Sequence, residues 1–315
     1  MKLNGIYDVV IVGGGPAAVS AAILLGRRMK EVLLCDASQS ELDSFQNHGR
    51  TSRGDCCCPS DFLWTSRIHM NRLDTVACVR QPVRDIHREE TGFSVIGDNG
   101  KSWVSKSILL ASDFVARLPS IPGVEKFYGA SLHQCPYCDG WEHRSRIIGV
   151  IGNDDSAVGI ALKLLTWSPR VTLYTHAGKL TSSAELRLRG RPVDVVTGSI
   201  RSLEGPGHHL ESVRMENGSN HACQALFFPA QVNSHFNLAD RVGGRVPRYL
   251  PGSHHLPNGG SGIEGLFFTS EPEGGQEMAV TAAADGIKAA EAINQWLIAA
   301  DRSYLAKRRP QHETI

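Results

Sequence analysis

Residues 7–18 read Tyr7-Asp8-Val9-Val10-Ile11-Val12-Gly13-Gly14-Gly15-Pro16-Ala17-Ala18. A short apolar run rich in β-branched residues, closed by glycines, predicts a buried strand. The alanine-rich stretch from Val19 to Arg28 predicts a helix, and Glu31 to Cys35 a second strand that ends at Asp36. Strand, glycine turn, helix, strand and acid make one βαβ unit with the pattern Gly13-x-Gly15-x-x-Ala18. Gly13 makes the tight turn, Gly15 lets the backbone approach a pyrophosphate, and Ala18 lets helix and strand pack closely. The helix N-terminus offers N–H groups to phosphates. Asp36 stands where a carboxylate accepts bonds from ribose hydroxyls. The fingerprint with its full context points to a bound dinucleotide.

A second unit starts at Ile147. Ile147 to Ile151 predicts a strand, Gly152-Asn153-Asp154-Asp155-Ser156-Ala157 its turn, Val158 to Thr166 a helix, and Arg170 to Tyr174 the next strand. The fold class is therefore α/β with two Rossmann-like units. Between them, Val76–Val79, Phe93–Ile96 and Trp103–Leu110 fit a β-meander, with Asp98-Asn99-Gly100 suited to a hairpin. Pro119 to Gly123 reads as a linker. Beyond the second unit, Val193–Thr197, Leu210–Met215, Ala225–Phe228 and Leu266–Thr269 predict strands, and Gln276 to Ile298 a final helix. Cys56-Cys57-Cys58, just before Pro59 and a helix from Ser60 to Leu73, reads as small residues tolerated at a buried helix entry.

Cys135-Pro136-Tyr137-Cys138 lies between the two nucleotide patterns. Two thiols at this spacing can close a small disulfide; one can attack a partner disulfide while the other resolves the mixed intermediate. Half of a zinc site and a purely structural pair are the alternatives. His143, next to Arg144, is either a base for the thiol chemistry or a surface histidine.

The totals bound the remaining classes. The chain has 315 residues, 41% of them hydrophobic, eight cysteines and a net charge of +1. That length holds about two domains. The charge gives no pull toward nucleic acid or an anionic membrane. Eight cysteines are too few for a disulfide scaffold and read as reduced thiols plus a working pair. No apolar run approaches a membrane span, and residues 1–7 are too short and polar for a signal segment. The expectation is a soluble cytoplasmic protein.

With both units and the Cys pair in view, the chain resembles the low-molecular-weight thioredoxin-reductase-like flavoproteins. The resemblance runs from Tyr7 to about Leu297. It rests on Val10 to Ala18, on His133-x-Cys135-Pro-Tyr-Cys138-Asp139-Gly-Trp-Glu142, and on Gln276 with the alanine helix. It implies a discontinuous FAD domain, residues 1–117 and 237–315, around an inserted NAD(P)-like domain, residues 118–236, that carries the Cys pair. It also implies a homodimer, and as substrate a thioredoxin-like protein or a small disulfide. Cys138 would face the flavin, Cys135 would attack the substrate disulfide, and Asp139 would hold and return the proton. The implied FAD contacts are Gly13, Gly15, Pro16, Ala17, Ala18 and Asp36, followed by Ala37, Gln46 and Asn47, and late in the chain Glu271, Gln276 and Glu277.

Three family motifs differ here. The second turn has Asp154 where the fingerprint has glycine. The arginine cluster of the NADPH site is replaced by Thr175-His176-Ala177-Gly178-Lys179. Each lost charge-assisted bond is worth about 1.5–3 kcal/mol, so two weaken binding by about two to four decades. The FAD-closing motifs read Ala111-Ser112-Asp113 and Ser270-Glu271. NADPH is therefore not the expected donor, and one flavin or a second flavin as well is left open. The altered motifs are similar to those of ferredoxin-linked and diflavin-linked relatives, which suggests a ferredoxin-type electron donor. An oxygen-dependent oxidase of small dithiols and a flavin redox sensor without turnover are the alternative functions.

Overall fold

The computed structural model describes residues 5–36, 59–111, 113–114, 118–176, 178–229, 232–233, 236–243, 262–269 and 279–308. The first part of the chain folds as β1 (Tyr7–Val12), α1 (Pro16–Arg27), β2 (Val32–Cys35), α2 (Pro59–Met70), β3 (Val76–Val79), β4 (Val83–Glu89), β5 (Gly92–Gly97) and β6 (Ser102–Leu110). Next come β7 (Asp113–Phe114), α3 (Val124–Phe127), β8 (Leu132–His133), α4 (Pro136–Asp139) and a 3-10 turn (Trp141–His143). The second unit follows as β9 (Ile148–Ile151), α5 (Asp155–Leu164), β10 (Val171–Tyr174), α6 (Ser182–Leu188) and β11 (Val193–Val196). After it stand β12 (Ile200–Glu204), β13 (Ser212–Met215), β14 (Asn220–Ala222), β15 (Ala225–Phe227), β16 (Val232–Asn233) and α7 (Phe236–Arg241). The chain closes with β17 (Leu266–Phe268) and α8 (Ala279–Arg308).

The first sheet runs β3-β2-β1-β6-β5-β4, and β17 pairs with β6. β1, β2, β3, β6 and β17 are mutually parallel where they pair, whereas β4, β5 and β6 form antiparallel ladders. β1 sits centrally and is buried on both sides. Val9 and Ile11 pack with α1, α2 and α8, while Val10 and Val12 pack with Leu33, Phe93 and Ile108 on the other face. That two-faced burial explains the unbroken apolar run, because a central parallel strand has no solvent face. α8 packs on α1 at close range. A Cβ built on Gly286 would come within 2.0 Å of the Ala17 carbonyl oxygen, so only glycine permits this approach.

The second sheet, β11-β10-β9-β15-β8, is all parallel, and β12, β13 and β14 form an antiparallel sheet beside it. β7 and β16 pair antiparallel, so the two strands that flank the second unit lie side by side. Among the described residues no helix is long and apolar enough to cross a membrane.

Several elements differ from expectation. β3 is not part of the meander; it pairs in parallel with β2, and the antiparallel run is β4-β5-β6. β4 escaped the sequence reading because only Ile86 of its seven residues is buried, which leaves no apolar alternation to detect. α1 begins at Pro16 rather than Val19, since proline is well suited to the first helical position. Pro119 to Gly123 is docked rather than a free linker: Ile121 is buried and the Pro122 carbonyl accepts from Leu203 N–H at 2.9 Å. The last helix continues to Arg308.

Candidate active site

The β1–α1 turn brings Gly13, Gly15, Pro16, Ala17 and Ala18 together. Gly13 has φ +129°, a conformation that favours glycine, and its N–H donates to the Cys35 carbonyl at 3.0 Å. Gly15 is the N-cap of α1 and has no side chain to occupy the helix end. Ala17 and Ala18 are buried, Ala17 against α8. Asp36 follows β2, is 1% exposed, and its N–H donates to the Val79 carbonyl at 2.9 Å. A turn with positive helix-end polarity, no cap side chain and a buried carboxylate at the next strand end fits a dinucleotide.

Arg67 was not anticipated. Its Nη2 lies 2.6 Å from Asp36 Oδ2 and donates to the Gly14 carbonyl at 3.2 Å, which ties α2 to the turn. The available signal is spacing: Leu63, Arg67 and Met70 stand at i, i+4 and i+7, so an arginine lies on the buried stripe of α2. Ala37, Gln46, Asn47, Glu271, Gln276 and Glu277 fall outside the described residues, as do Cys56, Cys57, Cys58, Ser112 and Ser270.

The second turn repeats the backbone of the first. Gly152 has φ +144° and donates to the Tyr174 carbonyl at 3.0 Å. Asp154 is the N-cap of α5, and its Oδ1 accepts from Ala157 N–H at 2.9 Å. The carboxylate thus sits where a phosphate would be held. Asn153 packs its amide against Gly178, and Asp155 is bound by the Ser183 hydroxyl and by Arg187. Those two bonds, Ser183 first, hold the Asp155 carboxyl below the usual range. The position that matches Asp36 is Thr175, whose N–H donates to the Val196 carbonyl at 3.1 Å.

Cys135 and Cys138 are joined by a disulfide, their Cα atoms 5.2 Å apart. Cys135 is the N-cap of α4, Pro136 opens the helix, and Cys138 N–H donates to Cys135 Sγ at 3.1 Å. Asp139 ends the helix and is buried. Its Oδ1 lies 3.4 Å from His133 Nδ1, and His133 Nε2 lies 2.8 Å from His143 Nε2. His143 is 4% exposed, so its reading as a surface histidine is overturned. Arg144 alone turns outward, its guanidinium 4.4 Å above the Trp141 ring. Tyr137 and Trp141 stand exposed, with Lys163 Nζ 5.2 Å from the Tyr137 ring.

The other described thiols are of a different kind. Burial, then the neighbouring Cys78, pushes Cys35 up to about 12, and burial pushes Cys223 up to about 12. Cys78 is exposed at its surface, and its value is also raised, by desolvation first and then by the Asp36 carboxylate. Cys35 and Cys223 are buried, stay protonated at neutral pH and react slowly.

The family described as pyridine nucleotide-disulphide oxidoreductase matches residues 7–228, and the chain belongs to it. Within that class it is a thioredoxin-reductase-like disulfide oxidoreductase of α/β fold, and the family implies FAD. A Claviceps purpurea (strain 20.1) protein named thioredoxin reductase tcpT is 28% identical over 262 residues, 77% of this chain and 79% of that protein. An alkyl hydroperoxide reductase component of Staphylococcus aureus (strain MRSA252) is 28% identical over 217 residues, 68% of this chain; the match spans only 43% of that protein. A solved structure of a Bacillus anthracis protein assigned as thioredoxin reductase TrxB superposes with a TM-score of 0.77 at 27% identity, covering 94% of this chain and 99% of that one.

Proposed function

We propose that this chain passes electrons between FAD and the Cys135–Cys138 pair to interconvert a partner's disulfide and dithiol, with a donor other than NADPH. The observation that supports it most is the disulfide at the start of α4, with a buried carboxyl one residue beyond it. FAD, when bound, supplies the two-electron chemistry. Gly15 and the N-terminus of α1 receive its pyrophosphate, and Asp36, held by Arg67, receives the adenosine ribose. Cys135 is the attacking sulfur: the Cys138 N–H bonded to its Sγ favours a thiolate there. Cys138 would be the sulfur that exchanges electrons with the flavin, and Asp139 would hold and return the proton. Tyr137 and Trp141 form an exposed aromatic edge for the incoming disulfide, which belongs to a thioredoxin-like protein or a small molecule. The working form is a homodimer.

The donor assignment is supported by the second turn. Asp154 occupies the end of α5, and Thr175 supplies neither the carboxylate that binds a ribose nor the cation that binds its phosphate. A one-electron protein donor of ferredoxin type meets the need. Anaerobic mixing with NADPH tests it: flavin absorbance stays for minutes, while dithionite bleaches it. Rapid bleaching by NADPH would refute the donor claim. Cys135→Ser and Cys138→Ser each abolish disulfide turnover while the flavin is retained; unchanged turnover would remove the dithiol from the circuit.

A further inference from the structure

We propose that His133 and His143 form, with Asp139, a buried proton reserve behind the dithiol. His133 is the positioning residue that lets the Asp139 carboxyl give up and regain its proton. The inference rests on the reading of Cys135–Cys138 as the working pair with Asp139 as its proton carrier.

The three side chains make one line. Asp139 Oδ1 stands 3.4 Å from His133 Nδ1, and His133 Nε2 stands 2.8 Å from His143 Nε2. All three residues are between 2% and 4% exposed. At 2.8 Å two ring nitrogens cannot both carry a hydrogen, nor can both lack one; one donates and the other accepts. One proton is therefore held between the rings. The ring of Phe227 on β15 lies 5.4 Å from that of His133 and 6.2 Å from that of His143, an uncharged wall that keeps the line dry. The titratable groups beside the pair are Asp139 on α4 and Glu142, the neighbour of His143 in the 3-10 turn. Buried histidines are often only satisfied core residues. Here the pair leads from a carboxyl one residue from a redox sulfur, and no fold requirement explains that end point.

The chemistry gives the line a use. Opening the disulfide consumes one electron pair, from a reduced flavin or a partner dithiol, and breaks the S–S bond. Both sulfurs emerge as thiolates and each takes a proton, one from Asp139 and one from water. Asp139 is then a carboxylate in a dry site, which is unfavourable unless a cation faces it. As His143 takes up a proton from water at its other ring nitrogen, the proton shared by the two rings passes to His133, which becomes an imidazolium opposite that carboxylate. On reoxidation the two thiols lose their protons with the electron pair: Asp139 takes one back, the other goes to water, and the rings return to neutrality by releasing theirs to water.

The test follows thiol release when dithiothreitol opens Cys135–Cys138 in the full chain with its flavin bound, as a function of pH. After correction for the thiolate fraction of the reagent, the wild-type profile carries an inflection contributed by the histidine pair. His133→Asn keeps an N–H toward Asp139 but cannot take a proton. It loses that inflection and slows exchange about tenfold below it. His143→Gln loses the inflection as well. A folded His133→Asn protein with the wild-type profile would overturn the inference. Nitrogen NMR of the wild-type imidazoles is the second measurement: reduction of the disulfide changes the protonation of the pair, and identical ring signals in both redox states would equally overturn it. Failure of the dithiol reading looks different, because Cys135→Ser would then leave turnover intact whatever the histidines do.

Discussion

The two glycine turns share a backbone and diverge in one side chain. Gly13 and Gly152 have φ +129° and +144°, and each donates to the last residue of the neighbouring strand at 3.0 Å. Gly15 and Asp154 are both extended N-caps, with ψ −179° and 179°. At the first turn the cap is a glycine, which brings no side chain, and a buried acid follows the adjacent strand. At the second turn the cap is a carboxylate already bonded to Ala157 N–H, and Thr175 follows the adjacent strand. A helix N-terminus will accept an anion from solution or from its own chain. The identity of the cap residue decides which, with no change in fold.

The sharpest way to break this comparison is to exchange the caps. Gly15→Asp should weaken FAD retention by about 100-fold or more, the cost of a carboxylate facing the pyrophosphate. Stability of the cofactor-free protein should change by only about a few tenths of a kcal/mol, since the backbone there is extended and aspartate caps well. The flavin-to-protein ratio after gel filtration and urea unfolding of stripped protein check both halves. Retained flavin would mean that the first turn does not carry the phosphates.

Arg67→Ala comes next. It removes the cation beside Asp36, which is 1% exposed, and should cost about 3 kcal/mol in urea unfolding. Asp36→Asn in the same chain should recover part of that loss. Asp154→Ala removes the self-cap of α5 and should cost about 1 kcal/mol. An unchanged midpoint would show that the cap does not hold the helix end.

A further effect, seen only at alkaline pH, is shared by both units, each of which buries a thiol. For Cys35 and Cys223 the folded value is raised from 9.0 to about 12. The folded state therefore keeps its proton where the unfolded chain has lost it. The stability from the neutral thiol is complete below about pH 9 and is lost as pH rises toward about 12. Cys223→Ala should flatten part of that alkaline decline in thermal unfolding; an unchanged slope would locate the decline elsewhere.

Both βαβ units were legible because a buried parallel strand and an alanine-rich helix have distinct periods, and glycine marks the turn between them. The Cys pair was legible from spacing alone. β4 was not, because its side chains face solvent, and the place of β3 depends on parallel pairing that local sequence does not encode. The burial of His143 was hidden because its neighbour Arg144 is polar, yet the 3-10 turn points the two side chains in opposite directions. Arg67 was hidden by distance: it meets Asp36 from 31 residues away.

The contact of α8 with α1 has a consequence for biosynthesis. β17 and α8 are the last described elements to leave the ribosome, yet Ala17 near the start of the chain waits for Gly286 near its end. The sheet that holds β9–β11 is complete once β15 has emerged, well before that. During that interval the alanine face of α1 lacks the cover that α8 gives it.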